Sequence, residues 1–228
     1  RWHSGGAEWP PTGTGVEVDP GQIGLTSISD PFFFSASGIP VIYADAQGSL
    51  VSASVTDGTA ANWVFDANPI VETPEDAYYS SPCAIDKNGL AAVFFDQRSA
   101  AGEPAVISAA IPNTSNQLIP LDEALIFPPE GFLSVEDPMV RYHDISGTYH
   151  LWASMWNGSE WSIGHAMSLD GLDWGTLETI QGLPDNSAAP VVQTSRGRFE
   201  LWYSSFDGVQ WNYGSAWAWD GQQWNDAV

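Results

Sequence analysis

Four residues that each precede a proline hold the first chemical interest of this chain. They are Asp30 in SDPFFF, Ser81 in SSPCAI, Asp137 in EDPMVR and Ala189 in AAPVVQ. Glu136 stands beside Asp137. Carboxyls gathered in one place raise one another's pKa, so one keeps a proton while another stays ionised. One group then donates a proton and the other activates water or attacks, which is general acid–base chemistry. Asp30, Glu136 and Asp137 are the carboxyls that such chemistry could draw on. The plainer reading is that Asp-Pro caps the start of a strand, where the N–H that proline lacks costs nothing.

Other reactive residue types offer less. The four His are too scattered for a zinc motif. His3 and His165 fall at equivalent repeat positions, which points to packing. No Gly-rich phosphate loop opens a helix, and no Gly-x-Ser-x-Gly elbow occurs. Cys83 is single, so it has no internal disulfide partner, and SSPCAID suggests a buried thiol. No metal or cofactor is assigned. SLDGLDW offers too few oxygens for a calcium loop, and a structural calcium elsewhere is left open.

The elements that would carry these residues repeat. LVSASVTDGTAANW, IGHAMSLDGLDW and YGSAWAWDGQQW align on Asp-Gly, and AVISAAIPN and RWHSGGAEW are weaker copies. The copies recur about every 50 residues, the period of a propeller blade. The Pro marker runs in phase with them. After each Pro comes a short apolar strand, a turn, and an aromatic strand: PVIYAD, AAVFFD, YHLWAS and FELWYS. Period-two alternation and Trp, Tyr, Phe and Val enrichment read as β.

The fold expected is all-β, a propeller of four-stranded antiparallel blades in a single domain over residues 1–228. Blades run over 30–80, 81–136, 137–188 and 189–228, and residues 1–29 match half of another. Five blades with an incomplete first, or four blades closed by the N-terminal segment, both fit. An incomplete blade leaves strand edges for another chain or segment to pair with. The Asp-Gly of each unit falls between strands three and four, where Gly supplies positive φ. The Trp that follows packs between blades.

Composition narrows the partners. The chain has 28 acidic and 6 basic residues, for a net charge of -22. Such a surface repels phosphate backbones, so nucleic acid and anionic membrane are not expected partners. No apolar run reaches the roughly 18 residues of a membrane span. The first residue is Arg and no signal peptide is visible, as in a processed or partial product. The charge suits an extracellular or saline setting.

EDPMVRYHDISGTYHLWASMWNGSEWSIGHAMSLDGLDW and AAPVVQTSRGRFELWYSSFDGVQWNYGSAWAWDGQQW resemble units of the five-bladed propeller glycoside hydrolases, of the arabinanase, xylosidase and fructosidase kind. In arabinanase-like members an Asp in a first-blade Asp-Pro acts as base. A second-blade Asp before Pro tunes pKa, and a third-blade Glu two residues before Pro is the acid. Asp30 matches the first and Glu136 resembles the third. Ser81 stands where the second would be.

The residues themselves add a rim to this picture. Inner strands all start at one end of the axis, and second strands run back to it. Asp45, Asp96, Arg98, Trp156, Trp161, Phe206, Asp207 and Trp211 should line that mouth. Aromatics flanked by carboxylates suit sugar rings, whose C–H faces stack while hydroxyls hydrogen-bond. Trp152 and Trp202, inside strands, read instead as packing between blades. Arg98 would clamp a carboxylate sugar or pair with Asp96. Two functions follow: a secreted glycosidase-like propeller contacting or hydrolysing a polysaccharide at the mouth, or a non-catalytic glycan-binding or assembly module.

Overall fold

The computed structural model of the protein describes residues 28–36, 39–55, 63–66, 68–115 and 117–225. These residues form strands and no helix. The first blade holds β1 (Ser29–Ala36), β2 (Ile39–Ala46), β3 (Ser49–Val55) and β4 (Trp63–Phe65). The second holds β5 (Tyr78–Lys87), β6 (Leu90–Arg98), β7 (Val106–Pro112) and β8 (Leu118–Pro120). The third holds β9 (Ser134–His143), β10 (Thr148–Trp156), β11 (Trp161–Ser168) and β12 (Glu178–Thr179). The fourth holds β13 (Ser187–Ser195), β14 (Arg198–Phe206) and β15 (Trp211–Ala218). Within each sheet, strands adjacent in sequence pair antiparallel.

The all-β propeller is thus present, with four blades among the described residues. The four-blade alternative fits this count. Residues 1–27 of the expected half blade lie outside the described residues. Inner strands begin at Ser29, Tyr78, Ser134 and Ser187, slightly ahead of the boundaries expected from the prolines. Packing runs from β1 to β5, from β5 to β9 and from β9 to β13.

Apolar faces meet between blades, as period-two strands require. β10 is buried along nearly its whole length, with Tyr149, Leu151, Trp152, Ala153 and Met155 closed to solvent. The Trp after the Asp-Gly of the third and fourth blades reaches the blade before it, whereas Trp63 of the first blade meets Phe33 of its own blade edge-on at 6.5 Å, a departure from the expected packing between blades. Trp174 meets Phe94 edge-on at 6.1 Å, and Trp224 meets Trp152 at 6.2 Å. Trp152 also donates from Nε1 to the Gly221 carbonyl at 2.9 Å. A Cβ on Gly221 would lie 2.8 Å from the Trp152 ring, so this turn needs glycine for space as well as for its φ of 78°. Cys83 is buried, and burial raises its thiol pKa.

The Asp-Gly turns differ in one respect from the tight hairpins expected. Asp170 Oδ1 accepts the N–H groups of Leu172 and Asp173, and Asp220 Oδ1 those of Gln222 and Gln223, all at 2.9 Å. These are side-chain-capped turns, and in the third blade the next strand starts only at Glu178. Asp57 lies outside the described residues.

The prolines also sit differently from the expectation that they open strands. Asp30, Ser81, Asp137 and Ala189 have φ of 47°, 51°, 55° and 54°. Each lies where the register of the inner strand slips against the second strand. The motif is therefore a bulge inside the strand. Proline suits it because a bulge leaves an unpaired position. Left-handed backbone costs on the order of 1–3 kcal/mol at a residue other than glycine, so surrounding bonds must hold it.

Candidate functional site

Each bulge lies near the start of its inner strand, so all four stand at the same blade end. The register sets Ser29 opposite Asp45, Ser80 opposite Asp96, Glu136 opposite Ser154 and Ala188 opposite Ser204. Second-strand residues then catch the next blade's bulge. Asp137 N–H donates to Asp96 Oδ1 at 2.9 Å, and Ala189 N–H to Ser154 Oγ at 2.7 Å. These bonds satisfy backbone donors at the strained positions, and they tie blade to blade.

Asp137 is the hub. Its Oδ1 accepts from Ser81 at 3.1 Å and its Oδ2 from Ser154 at 2.9 Å. Asp96 is wholly buried. Its pKa is raised well above the usual range, first by burial and then by the charge of Asp137; Arg98 opposes this and Glu136 adds to it. Arg98 donates from one Nη to Asp96 Oδ2 at 3.1 Å and to Glu136 Oε2 at 2.9 Å. Ser134 fills the other Glu136 oxygen at 2.6 Å. The expected pairing of Arg98 with Asp96 is present, with Glu136 as a second partner.

Asp30 keeps an exposed side, yet the protein around it removes enough water to raise its carboxyl pKa. Asp137 and Asp45 raise it further, while Ser29 and Arg98 pull the other way. Asp45 accepts from Ser29 Oγ at 3.0 Å and from Gly48 N–H at 3.0 Å. A carboxyl with an elevated pKa is a better proton acceptor once ionised, which is what a general base requires.

The aromatic candidates pair across the hairpins that join second and third strands. Trp156 faces Trp161 with ring centroids 5.0 Å apart, and Phe206 faces Trp211 at 5.5 Å. Both pairs stand at the same blade end as Glu136 and the bulges. The hairpin polar residues do turn work. Asn157 Oδ1 accepts the Ser159 and Glu160 N–H groups, and Asp207 Oδ1 those of Val209 and Gln210. Asp207, expected at the rim, is thus spent on its own turn. Trp211 remains 49% exposed. Trp152 is fully buried, as its in-strand position suggested.

The candidates therefore share one end of the blades, but Asp96 and Asp45, expected to line the rim, are buried at 0% and 5% exposure, because each is enclosed by the hydrogen bonds it accepts. Sequence reasoning under-weighted Asp137 and missed Ser134 and Ser154. Their signal is the bulge register, which sequence spacing alone does not display. Among the described residues no group of three or more His, Cys, Asp or Glu is arranged to hold a metal ion. No described helix is long and apolar enough to cross a membrane.

No family model matches the chain, and no curated protein matches it by sequence. Solved structures do match. A thermostable family-43 glycoside hydrolase is similar at 16% identity and a TM-score of 0.70, over 90% of this chain and 73% of its own. An alpha-L-arabinanase from Cellvibrio cellulosa, complexed with arabinohexaose, is similar at 12% identity and 0.68, over 89% and 74%. A family 117 glycoside hydrolase from the marine bacterium Zobellia galactanivorans is similar at 15% and 0.70, over 93% and 72%. At such identities the likeness is one of fold alone.

Proposed function

We propose that this propeller binds a polysaccharide across its axial mouth and hydrolyses it by acid–base chemistry. The observation that carries the reading is the shared placement of Asp30 and Glu136. Both issue from bulged inner strands at the same blade end, beside the buried Arg98–Asp96 pair. Asp30, with its raised pKa, takes the part of base. Glu136 takes the part of acid, for which Arg98 or Ser134 must release an oxygen when substrate enters. The paired rim aromatics supply stacking faces for sugar rings. The fold neighbours, glycoside hydrolases by name, support the same class. The net charge of -22 fits an extracellular setting.

The test is release of reducing ends from a panel of polysaccharides, with Asp30→Asn and Glu136→Gln beside the wild type. Each variant should lose activity by about 10²–10⁴-fold while keeping the fold. Retained activity in either removes that residue from its role.

One observation favours a second reading, a glycan-binding module. Both Glu136 oxygens are already engaged, and Ser81 brings no carboxyl to the second blade. Binding by the wild type without any reducing-end release would select that reading.

A further inference from the structure

Away from the mouth, three histidines join into one hydrogen-bonded chain. His165 Nδ1 meets Gln222 Oε1 at 3.1 Å, and His165 Nε2 meets His150 Nδ1 at 2.9 Å. His150 Nε2 meets Thr148 Oγ1 at 3.0 Å, and Thr148 Oγ1 meets Ser146 Oγ at 2.6 Å. Ser146 Oγ meets His143 Nδ1 at 2.9 Å, and His143 Nε2 meets the Gly197 carbonyl at 3.1 Å. The chain crosses the third blade from β9 through β10 to β11. Both of its ends rest on the fourth blade.

Both ends are acceptors. Gly197 offers a carbonyl. Gln222 gives its NH₂ to the Thr179 carbonyl at 2.9 Å, which turns its oxygen toward His165. His165 must therefore carry its proton on Nδ1, and as a neutral ring it accepts at Nε2. His150 then donates from Nδ1 and accepts at Nε2 from Thr148. From the other end, His143 donates from Nε2 to Gly197 and accepts at Nδ1 from Ser146. Thr148 and Ser146 have now each spent their proton, and nothing is left for the 2.6 Å contact between them.

Turning the Ser146 proton toward Thr148 only moves the gap to His143 Nδ1. The Ser146 N–H, at 3.4 Å, is too far to fill it well. Six contacts join the chain, and its five side chains bring one proton each when neutral.

We propose that the folded protein stores one additional proton in this relay, as an imidazolium whose charge is held between the third and fourth blades. The added proton completes all six contacts, whichever ring receives it. Burial and the neighbouring imidazoles lower the His150 pKa to about 3, and burial lowers that of His165 to about 4. The charged groups around the relay are few. Asp220 acts on His150 and His165 from the fourth blade. Asp144 follows His143 and pairs with Lys87 at 3.1 Å. Arg196 and Arg198 flank Gly197, and Arg198 is paired with Glu200.

The test is a pH titration of ¹⁵N-histidine-labelled full-length protein by NMR, which reads the protons on each ring nitrogen. Ser146→Ala and Thr148→Val are the informative variants. Each removes two contacts and one proton, which leaves a relay that is complete when neutral. The wild-type relay should hold its imidazolium to higher pH than either variant. Equal midpoints in the wild type and both variants, or three neutral rings in the wild type throughout the neutral range, would overturn the proposal. Ser146 is exposed, so its substitution leaves the core intact.

Discussion

Ser81 Oγ donates to Asp137 Oδ1 across 3.1 Å, joining the second blade to the third at the bulged end of their inner strands. The side chain of position 81 therefore ends where the carboxyl of Asp137 lies. A carboxyl absent from the second blade at this point is supplied by its neighbour.

Asp137→Asn removes that charge but keeps the shape and hydrogen-bonding capacity of the side chain. Because Asp137 raises Asp30, the Asp30 carboxyl should then titrate at lower pH. Carboxyl ¹³C NMR reads this directly, whether or not the protein is an enzyme. An additional Ser81→Asp change should move the titration back upward. An Asp30 midpoint unchanged by Asp137→Asn would sever the link between the two residues.

Arg98 holds two carboxylates, with only 15% of its side chain exposed. Arg98→Met leaves Asp96 and Glu136 facing each other without a countercharge. The expected loss is about 3–5 kcal/mol of unfolding free energy, the usual cost of breaking a buried pair from one side. Arg98→Lys keeps the charge and should cost less. Urea unfolding at neutral pH measures both.

His150 and His165 make stability depend on pH in a stated direction. Their folded pKa values, about 3 and about 4, lie below the unfolded value of 6.5. Above 6.5 they contribute no pH dependence. As pH falls from 6.5 toward 4 and 3, the unfolded chain takes up protons that these buried rings refuse, and stability is lost. The total is on the order of several kcal/mol at about 1.4 kcal/mol per unit. Asp96 and Asp30 have raised pKa values and act in the opposite sense, so the comparison is with His150→Gln. That variant should lose stability less steeply on acidification. An unchanged slope in unfolding midpoints against pH would contradict the assignment.

The aromatic residues should divide into two classes. Trp211→Ala, at a half-exposed rim position, should leave stability within about 0.5 kcal/mol and weaken glycan binding. Trp152→Ala, at a fully buried position, should cost about 3–5 kcal/mol. Calorimetry with a bound oligosaccharide and thermal unfolding separate the two effects.

The propeller was legible because its signals are local and repeat: a Pro, an aromatic strand, an Asp-Gly turn. Repetition turned each weak signal into a phase, and the phase put Asp30, Glu136 and the rim aromatics at one end. The partners of those residues were less legible. Ser134, Ser154 and Asp137 find their roles through a one-residue slip in register. That slip depends on backbone φ, which the types Asp, Ser and Ala do not announce. The histidine relay was hidden for a related reason. His143, His150 and His165 lie on three successive strands, and only the pairing of β9, β10 and β11 brings them side by side.

The four bulges have one further consequence. The same kink is made with Asp, Ser, Asp and Ala at its tip, so its geometry is indifferent to the side chain it presents. The mouth then behaves as a ring of equivalent sockets on a fixed frame. A functional group can be unplugged from one blade and fitted in the next by a single codon change, with no rebuilding of the backbone. Chemistry and architecture can drift apart in such a ring, since neither has to wait for the other.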